Sequence, residues 1–164
     1  MTVYRNNITT KKIFFSIFFG MTFSTFGLPG VSLIISPDVL GLVLFYWAMV
    51  GGDARPKLGT AFVLGCIVDI LSGQIVGLHS LKYLLLVLVS MQFDNRFRMS
   101  TPLHKITFVM ITFFLVELIL SGLLSLYMST PFFTERPIAA GVWGLIWPLM
   151  GFLIQKDYSR VVVK

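Results

Sequence analysis

Long apolar stretches alternate with short polar breaks along the chain. Six apolar segments can be distinguished, at residues 13–28, 37–50, 57–75, 78–93, 106–128 and 139–154. The breaks between them contain residues that favour turns: LPG at 28–30, GGDARPK at 51–57, DNRFRMSTPLHK at 94–105 and STPFFTERP at 129–137. Several segments are shorter than the roughly 20 residues that a straight spanning helix needs, but the pattern as a whole predicts membrane helices.

Composition supports this interpretation. Of the 164 residues, 56% are hydrophobic and 12% are charged, whereas about 25% of the residues in a soluble domain are charged. So few charged residues would not cover the surface of a soluble globule. We therefore predict an all-α integral membrane protein, a bundle of six transmembrane helices. It consists of a cytoplasmic N-terminal segment at 1–12, a membrane domain at 13–154 and a basic cytoplasmic tail at 155–164.

The basic residues predict the orientation of the bundle. If the N-terminus is cytoplasmic, only Lys82 and Arg136 lie toward the outer side. The other eleven lie on the cytoplasmic side: Arg5, Lys11, Lys12, Arg55, Lys57, Arg96, Arg98, Lys105, Lys156, Arg160 and Lys164. Because Lys and Arg concentrate in cytoplasmic loops, both termini are predicted to be cytoplasmic. The same asymmetry explains the net charge of +6 and predicts contact with membrane lipids, not with nucleic acid.

Five amphipathic aromatic residues lie toward the ends of the predicted segments. They are Tyr46, Trp47, Tyr127, Trp143 and Trp147. Because Trp and Tyr are enriched at the boundary between membrane and water, we expect these rings to lie there.

The third segment carries a carboxylate among glycines. In GCIVDILSGQIVG, residues 65–77, the residues Gly65, Asp69, Gly73 and Gly77 are spaced by four. Four residues advance a helix by about 400°, so these positions form one slowly winding stripe. Small residues on such a stripe let another helix approach closely. Asp69 is therefore predicted to lie in a contact between helices.

Asp69 needs a partner, because an ionised carboxylate at mid-bilayer costs about 2.5–3.5 kcal/mol even on lenient insertion scales. Lys82 and His79, at the start of the next segment, are the candidates for pairing. At 1.5 Å per residue, Asp69 and Lys82 lie about 9 and 6 Å below the outer ends of their helices, so this pair is geometrically possible. A neutral Asp69 that donates to a backbone carbonyl is also possible. Glu117, in the fifth segment, is a second acid at comparable depth. The two acids could hold helices together, or form a proton relay or a cation site.

Patterns for catalysis and cofactor binding are missing from the sequence. The single cysteine, Cys66, excludes an intramolecular disulfide and a Cys-rich metal site. His79 and His104 are far apart and belong to no Ser-His-Asp arrangement, and residues 51–52 lack the pattern of a phosphate-binding loop. We expect no catalytic residue, no metal and no cofactor.

Three stretches of the chain can be compared with known families. SPDVLGLVLFYWAMV at 36–50 is followed by GTAFVLGCIVDILSGQIVGLHSL at 59–81, and GVWGLIWPLMGFLIQK lies at 141–156. These stretches resemble the bacterial MreD family of rod shape-determining proteins. The resemblance places the family's motif at Gly65, Asp69, Gly73 and Gly77. Weaker matches are Pro37, Tyr46, Trp47, Trp147 and Pro148, together with the acid at Glu117.

The resemblance implies a non-enzymatic subunit of the machinery that elongates peptidoglycan in the bacterial inner membrane. Such a subunit associates with MreC and links MreB filaments to the glycan polymerase RodA and its partner transpeptidase. These matching positions and Lys82 would then serve helix packing or partner contact. The resemblance also implies a fold related to the six-helix substrate-binding subunits of energy-coupling-factor transporters, so the alternative function is small-molecule uptake.

Overall fold

A computed structural model describes residues 10–26, 37–50, 55–73, 75–128 and 135–149. These residues form six α-helices and no strand: α1 (Thr10–Phe26), α2 (Val39–Val50), α3 (Leu58–Ser72), α4 (Leu78–Met99), α5 (Pro102–Met128) and α6 (Glu135–Trp143). The all-α prediction is confirmed, and each helix overlaps one predicted segment. The LPG break, residues 1–9 and the tail at 155–164 lie outside the described residues.

The predicted break at 94–105 is confirmed in position but is too long. α4 continues to Met99 and α5 begins at Pro102, so two residues separate the helices. Asp94, the first polar residue of the predicted break, is buried within α4, and its Oδ2 lies 2.7 Å from Nη2 of Arg55, just before α3. This ion pair lets the helix continue through a charged stretch. The turn is set by Pro102, which suits the first position of a helix and disfavours helical backbone at the preceding residue.

The sixth segment also begins earlier than predicted and is not one continuous α-helix. α6 starts at Glu135, inside the predicted break, because an acidic residue stabilises the first turn of a helix. A 3-10 turn at Gly144–Ile146 follows α6. Pro148 provides no amide hydrogen for the carbonyl of Gly144, and its ring crowds that carbonyl. The α-helical hydrogen-bond pattern is therefore interrupted at this point.

α2 forms the centre of the bundle. All of its residues from Leu40 to Met49 are buried, and α2 packs against α1 and α4. A helix that is apolar on every side is expected to be surrounded by other elements. The other close helix pairs are α3 with α4, α5 with α6, and α4 with α5.

Large apolar side chains are exposed around this centre. Examples are Phe15 on α1, Ile70 on α3, Leu126 on α5 and Ile138 on α6, each more than half exposed. Within the described residues, the stretch Pro102–Tyr127 is the one helix that is long and apolar enough to cross a membrane, and three further helices are apolar but shorter.

Three of the aromatic residues expected at the membrane boundary lie in the core instead. Tyr46, Trp47 and Trp147 are all at most 6% exposed. The ring of Trp147 lies 5.3 Å from that of Tyr46 and 5.7 Å from that of Phe97, and Nε1 of Trp47 donates to Oγ of Ser16 at 2.8 Å. That prediction is wrong for these residues because partners within the bundle bury the rings and, for Trp47, accept the hydrogen bond.

Candidate functional site: a buried ionic cluster at one end of the bundle

Asp69 connects α3 to the beginning of α4. Its side chain is fully buried. Oδ2 accepts a hydrogen bond from the backbone N–H of Gly77 at 2.7 Å, and Oδ1 accepts one from the backbone N–H of His79 at 3.0 Å. The ring Nδ1 of His79 lies 2.8 Å from the same Oδ1. Asp69 thus caps the free N–H groups that begin a helix, and it does so from the neighbouring helix.

Gly65, one turn before Asp69, lies where α3 and α4 approach each other closely. A Cβ built at Gly65 would fall within 3.0 Å of backbone atoms of His79 and Ser80, which real Cβ atoms essentially never do. A glycine is therefore required where the two backbones cross.

The other two glycines of the motif serve the turn between the helices. Gly73 has a φ of +63° and ends α3, and Gly77 has a φ of +106° and precedes α4. A Cβ at either position would meet no atom within 4 Å. These glycines are needed for left-handed backbone and not for close packing, so the predicted stripe combines two different roles.

Lys82, in the second turn of α4, lies between two carboxylates from other parts of the bundle. Its Nζ is 3.1 Å from Oδ2 of Asp38 and 2.9 Å from Oε2 of Glu117. The three side chains are between 11% and 14% exposed, and buried charges of this kind require pairing. Lys82 therefore pairs with these two acids, and the Asp69–Lys82 pair that the sequence allowed does not form. We call Asp38, Lys82 and Glu117 the ionic cluster.

Asp38 makes the most contacts in the ionic cluster. It directly precedes α2, and its Oδ1 accepts from the backbone N–H of Gly41 at 2.9 Å, as in a helix N-cap. The same oxygen accepts from the hydroxyl of Tyr83 at 3.0 Å and from Oγ of Ser24 at 3.2 Å. Sequence reasoning overlooked Asp38. An Asp after Pro37 and before an apolar run is nevertheless a recognisable signal for the start of a helix.

A small recess of about 40 Å³ opens beside the ionic cluster. Its lining consists of Asp38, Leu42, Lys82, Phe113, Glu117, Arg136, Ala139, Ala140 and Trp143. At about 10–15 Å³ for each water, this volume accommodates about three or four water molecules. A pocket for a drug-sized ligand is usually about 300–1,000 Å³.

The two ends of the bundle differ in their polar chemistry. The ionic cluster, Asp69 and the recess lie together at one end. The opposite end carries the Arg55–Asp94 pair and Lys105, whose Nζ lies 5.6 Å from the ring centre of Phe97. Pro148, another of the predicted positions, is exposed beside the buried Trp147.

Candidate ligands for a metal do not gather in the part of the chain that the structure describes, where no group of three or more His, Cys, Asp or Glu side chains has suitable geometry. The thiol of Cys66 is free and half-buried, and Oγ of Ser80 lies 3.1 Å from its sulfur. The contacts that the structure describes at this end of the bundle are charge pairs and helix caps.

Comparison with known proteins identifies the family of the chain. No solved structure matches it, so the expected relation in fold to energy-coupling-factor transporter subunits stays a prediction. The family described as rod shape-determining protein MreD matches residues 5–157. This match includes all six helices, the capping Asp69 and the whole ionic cluster. The chain therefore belongs to the MreD family, a family of membrane proteins that determine rod shape.

Proposed function

We propose that this protein is a non-enzymatic, multi-pass scaffold of the bacterial inner membrane that binds MreC. Together with MreC it would connect MreB filaments, directly or indirectly, to RodA and its partner transpeptidase. Membership of the family implies the role in rod-shape determination. The partners, the six spans and the cytoplasmic termini are the additional content of the proposal.

The scaffold proposal rests on one observation: the buried polar groups pair with one another or cap a helix. Both carboxylate oxygens of Asp69 accept hydrogen bonds from backbone N–H groups at the start of α4. Lys82 forms ion pairs with Asp38 and Glu117. These contacts fasten helices together. A bundle held in this way presents a fixed outer shape to partner proteins, and its ionisable groups are used for structure.

The distribution of apolar and basic side chains supports several membrane spans. α1, α3, α5 and α6 all expose large apolar residues, and soluble monomers rarely expose contiguous apolar patches of more than a few hundred Å². Arg55 and Lys105 lie at one end of the bundle, whereas Lys82 and Arg136 lie at the other. This separation agrees with the positive-inside rule when the first end faces the cytoplasm.

Reporter fusions test the topology. A fusion after Lys164 and one at the turn of residues 100–101 should both report a cytoplasmic location. A fusion within residues 131–134 should report the periplasm. A periplasmic C-terminus would contradict the six-span arrangement.

Co-purification tests the scaffold itself. We expect MreC to be recovered with the tagged protein from native membranes. Across a set of variants, the amount of MreC recovered should correlate with the ability of each variant to restore rod shape. Gly65→Leu should lose both MreC recovery and rod shape, since the side chain would separate α3 from α4. Gly59→Leu is a matched control, because a Cβ at Gly59 meets no atom within 4 Å. Full complementation by a variant that recovers no MreC would contradict the proposal.

The alternative function, a subunit for small-molecule uptake, requires a larger binding site. Among the described residues, the recess of about 40 Å³ is far smaller than a vitamin-sized molecule needs. A thermal-shift screen of the purified protein against vitamins tests this alternative, and a tight ligand would favour it over the scaffold.

A further inference from the structure

The ionic cluster has an unbalanced charge. Counted as ionised, Asp38 and Glu117 contribute two negative charges against the single positive charge of Lys82. Oδ2 of Asp38 and Oε2 of Glu117 are buried, and within the described residues neither accepts a hydrogen bond of good geometry, although Nζ of Lys82 is close to both. Because an uncompensated buried charge is costly, the recess beside these oxygens favours a cation.

Besides Lys82, the recess is lined by a second cation, Arg136. It lies in the first turn of α6, is half-buried and lines the recess together with the two acids. Arg136 makes no ion pair with the other described residues. A guanidinium group is planar and pairs with a carboxylate through two parallel hydrogen bonds. Its head has four heavy atoms, and a recess that accommodates about three or four water molecules is of the right size for it.

We propose that the recess is a guanidinium-binding site and that Arg136 is its occupant. When its side chain turns inward, Arg136 pairs with Glu117, balances the charge of the ionic cluster and fastens the first turn of α6 to α5. The short side chains of Ala139 and Ala140 leave room on the wall formed by α6. The inference concerns the bundle alone and does not depend on which partners the scaffold binds.

Chemical rescue tests this site directly. The reporter is a single thiol in the recess, Ala139→Cys in a Cys66→Ala background, and the measurement is its rate of labelling by a small reagent in detergent micelles. Arg136→Ala should raise the labelling rate about tenfold, the factor that corresponds to about 1.4 kcal/mol. Millimolar guanidinium chloride, far below denaturing concentrations, should restore slow labelling in Arg136→Ala, whereas the same concentration of sodium chloride should not. Arg136→Lys, which keeps the charge and loses the planar group, should label at an intermediate rate.

Two controls separate a specific site from a general loosening of α6. Val142→Ala changes an exposed residue of the same helix and should leave the labelling rate unchanged. Adding Glu117→Gln to Arg136→Ala should abolish the rescue by guanidinium. The proposal is overturned if Arg136→Ala labels as slowly as the parent, or if Val142→Ala labels as fast as Arg136→Ala. It is also overturned if sodium chloride rescues equally well, or if rescue persists with Glu117→Gln.

Discussion

Replacing Asp69 by Asn tests whether the cap across the α3–α4 hairpin requires a carboxylate. Asp69 accepts hydrogen bonds with both oxygens, from Gly77 on one and from His79 on the other. Asn has one acceptor oxygen, and its amide group would place N–H hydrogens against a backbone N–H. Asp69→Asn therefore leaves one buried donor without an acceptor, even though the size of the side chain hardly changes.

The magnitude follows from the groups that lose their partners. One buried N–H without an acceptor costs about 1–3 kcal/mol, so we expect Asp69→Asn to destabilise the protein by about this amount. Asp69→Ala should be worse, because it removes the acceptors of both backbone N–H groups and of the His79 ring. Lys82→Met should not relieve the defect, since Lys82 shares no hydrogen-bond partner with Asp69 and pairs with other acids.

The assay is unfolding of the purified protein by SDS in mixed micelles, followed by circular dichroism, with membrane level and rod-shape complementation measured in parallel. Gln92→Ala, at an exposed position on α4, is the control substitution and should unfold at the same SDS fraction as the parent. Unfolding of Asp69→Asn at the same SDS fraction as the parent would refute the cap. So would a stability that Lys82→Met restores. Normal stability and MreC recovery combined with complete loss of rod shape would instead support a proton or cation role for Asp69.

Further predictions concern glycines and the ionic cluster, and the same unfolding assay measures them all. Gly65→Ala should destabilise the protein by about 1–3 kcal/mol, because the added Cβ overlaps the backbone of α4. Gly59→Ala, at an open helical position, should be neutral or stabilise the protein by about 0.5–1 kcal/mol. Equal effects of the two substitutions would argue against the close crossing of α3 and α4. Gly73→Ala should cost about 1–2 kcal/mol through its left-handed backbone alone, and an unchanged stability would contradict that φ. Lys82→Met should destabilise the protein by about 3–5 kcal/mol, because it leaves two acids without their cation. Adding Glu117→Gln should recover part of this lost stability. If the effects of the two substitutions on stability simply add, the pairing of Lys82 with Glu117 is contradicted.

The sequence predicted the helices well because apolar runs and breaks are local signals. It overestimated the length of the break at residues 94–105, where charged residues that belong to helices were interpreted as a loop. Asp94 is instead paired with Arg55 and stays within α4, and a distant partner of this kind leaves no trace in a local pattern. Trp47 and Trp147 illustrate the same limit. Their amphipathic rings suit a membrane boundary, but partners elsewhere in the chain bury them in the core.

The candidate site was predictable to the extent that its chemistry is local. Asp69 and its glycines form a visible motif, since the residues that Asp69 caps follow within one turn between helices. The partners of Lys82 were not predictable, because Asp38 lies two helices earlier and Glu117 one helix later. Only the packing of α2, α4 and α5 brings them within reach of Nζ. The position of each charged residue along its predicted helix indicated which of them lie at a similar depth in the membrane. It did not indicate which of them face each other.

The position of these contacts explains how the helices of such a bundle choose their neighbours. Lipid tails are as apolar as leucine, so apolar contact alone gives little preference for one helix over another in a membrane. In this bundle the specific contacts are of other kinds. Asp38 joins α1, α2 and α4 through its hydrogen bonds and ion pair, Glu117 adds α5, and Gly65 with Asp69 fixes α3 on α4. It follows that substitutions among the exposed apolar residues should be tolerated, whereas loss of any one of these polar or glycine contacts releases a particular helix from the arrangement.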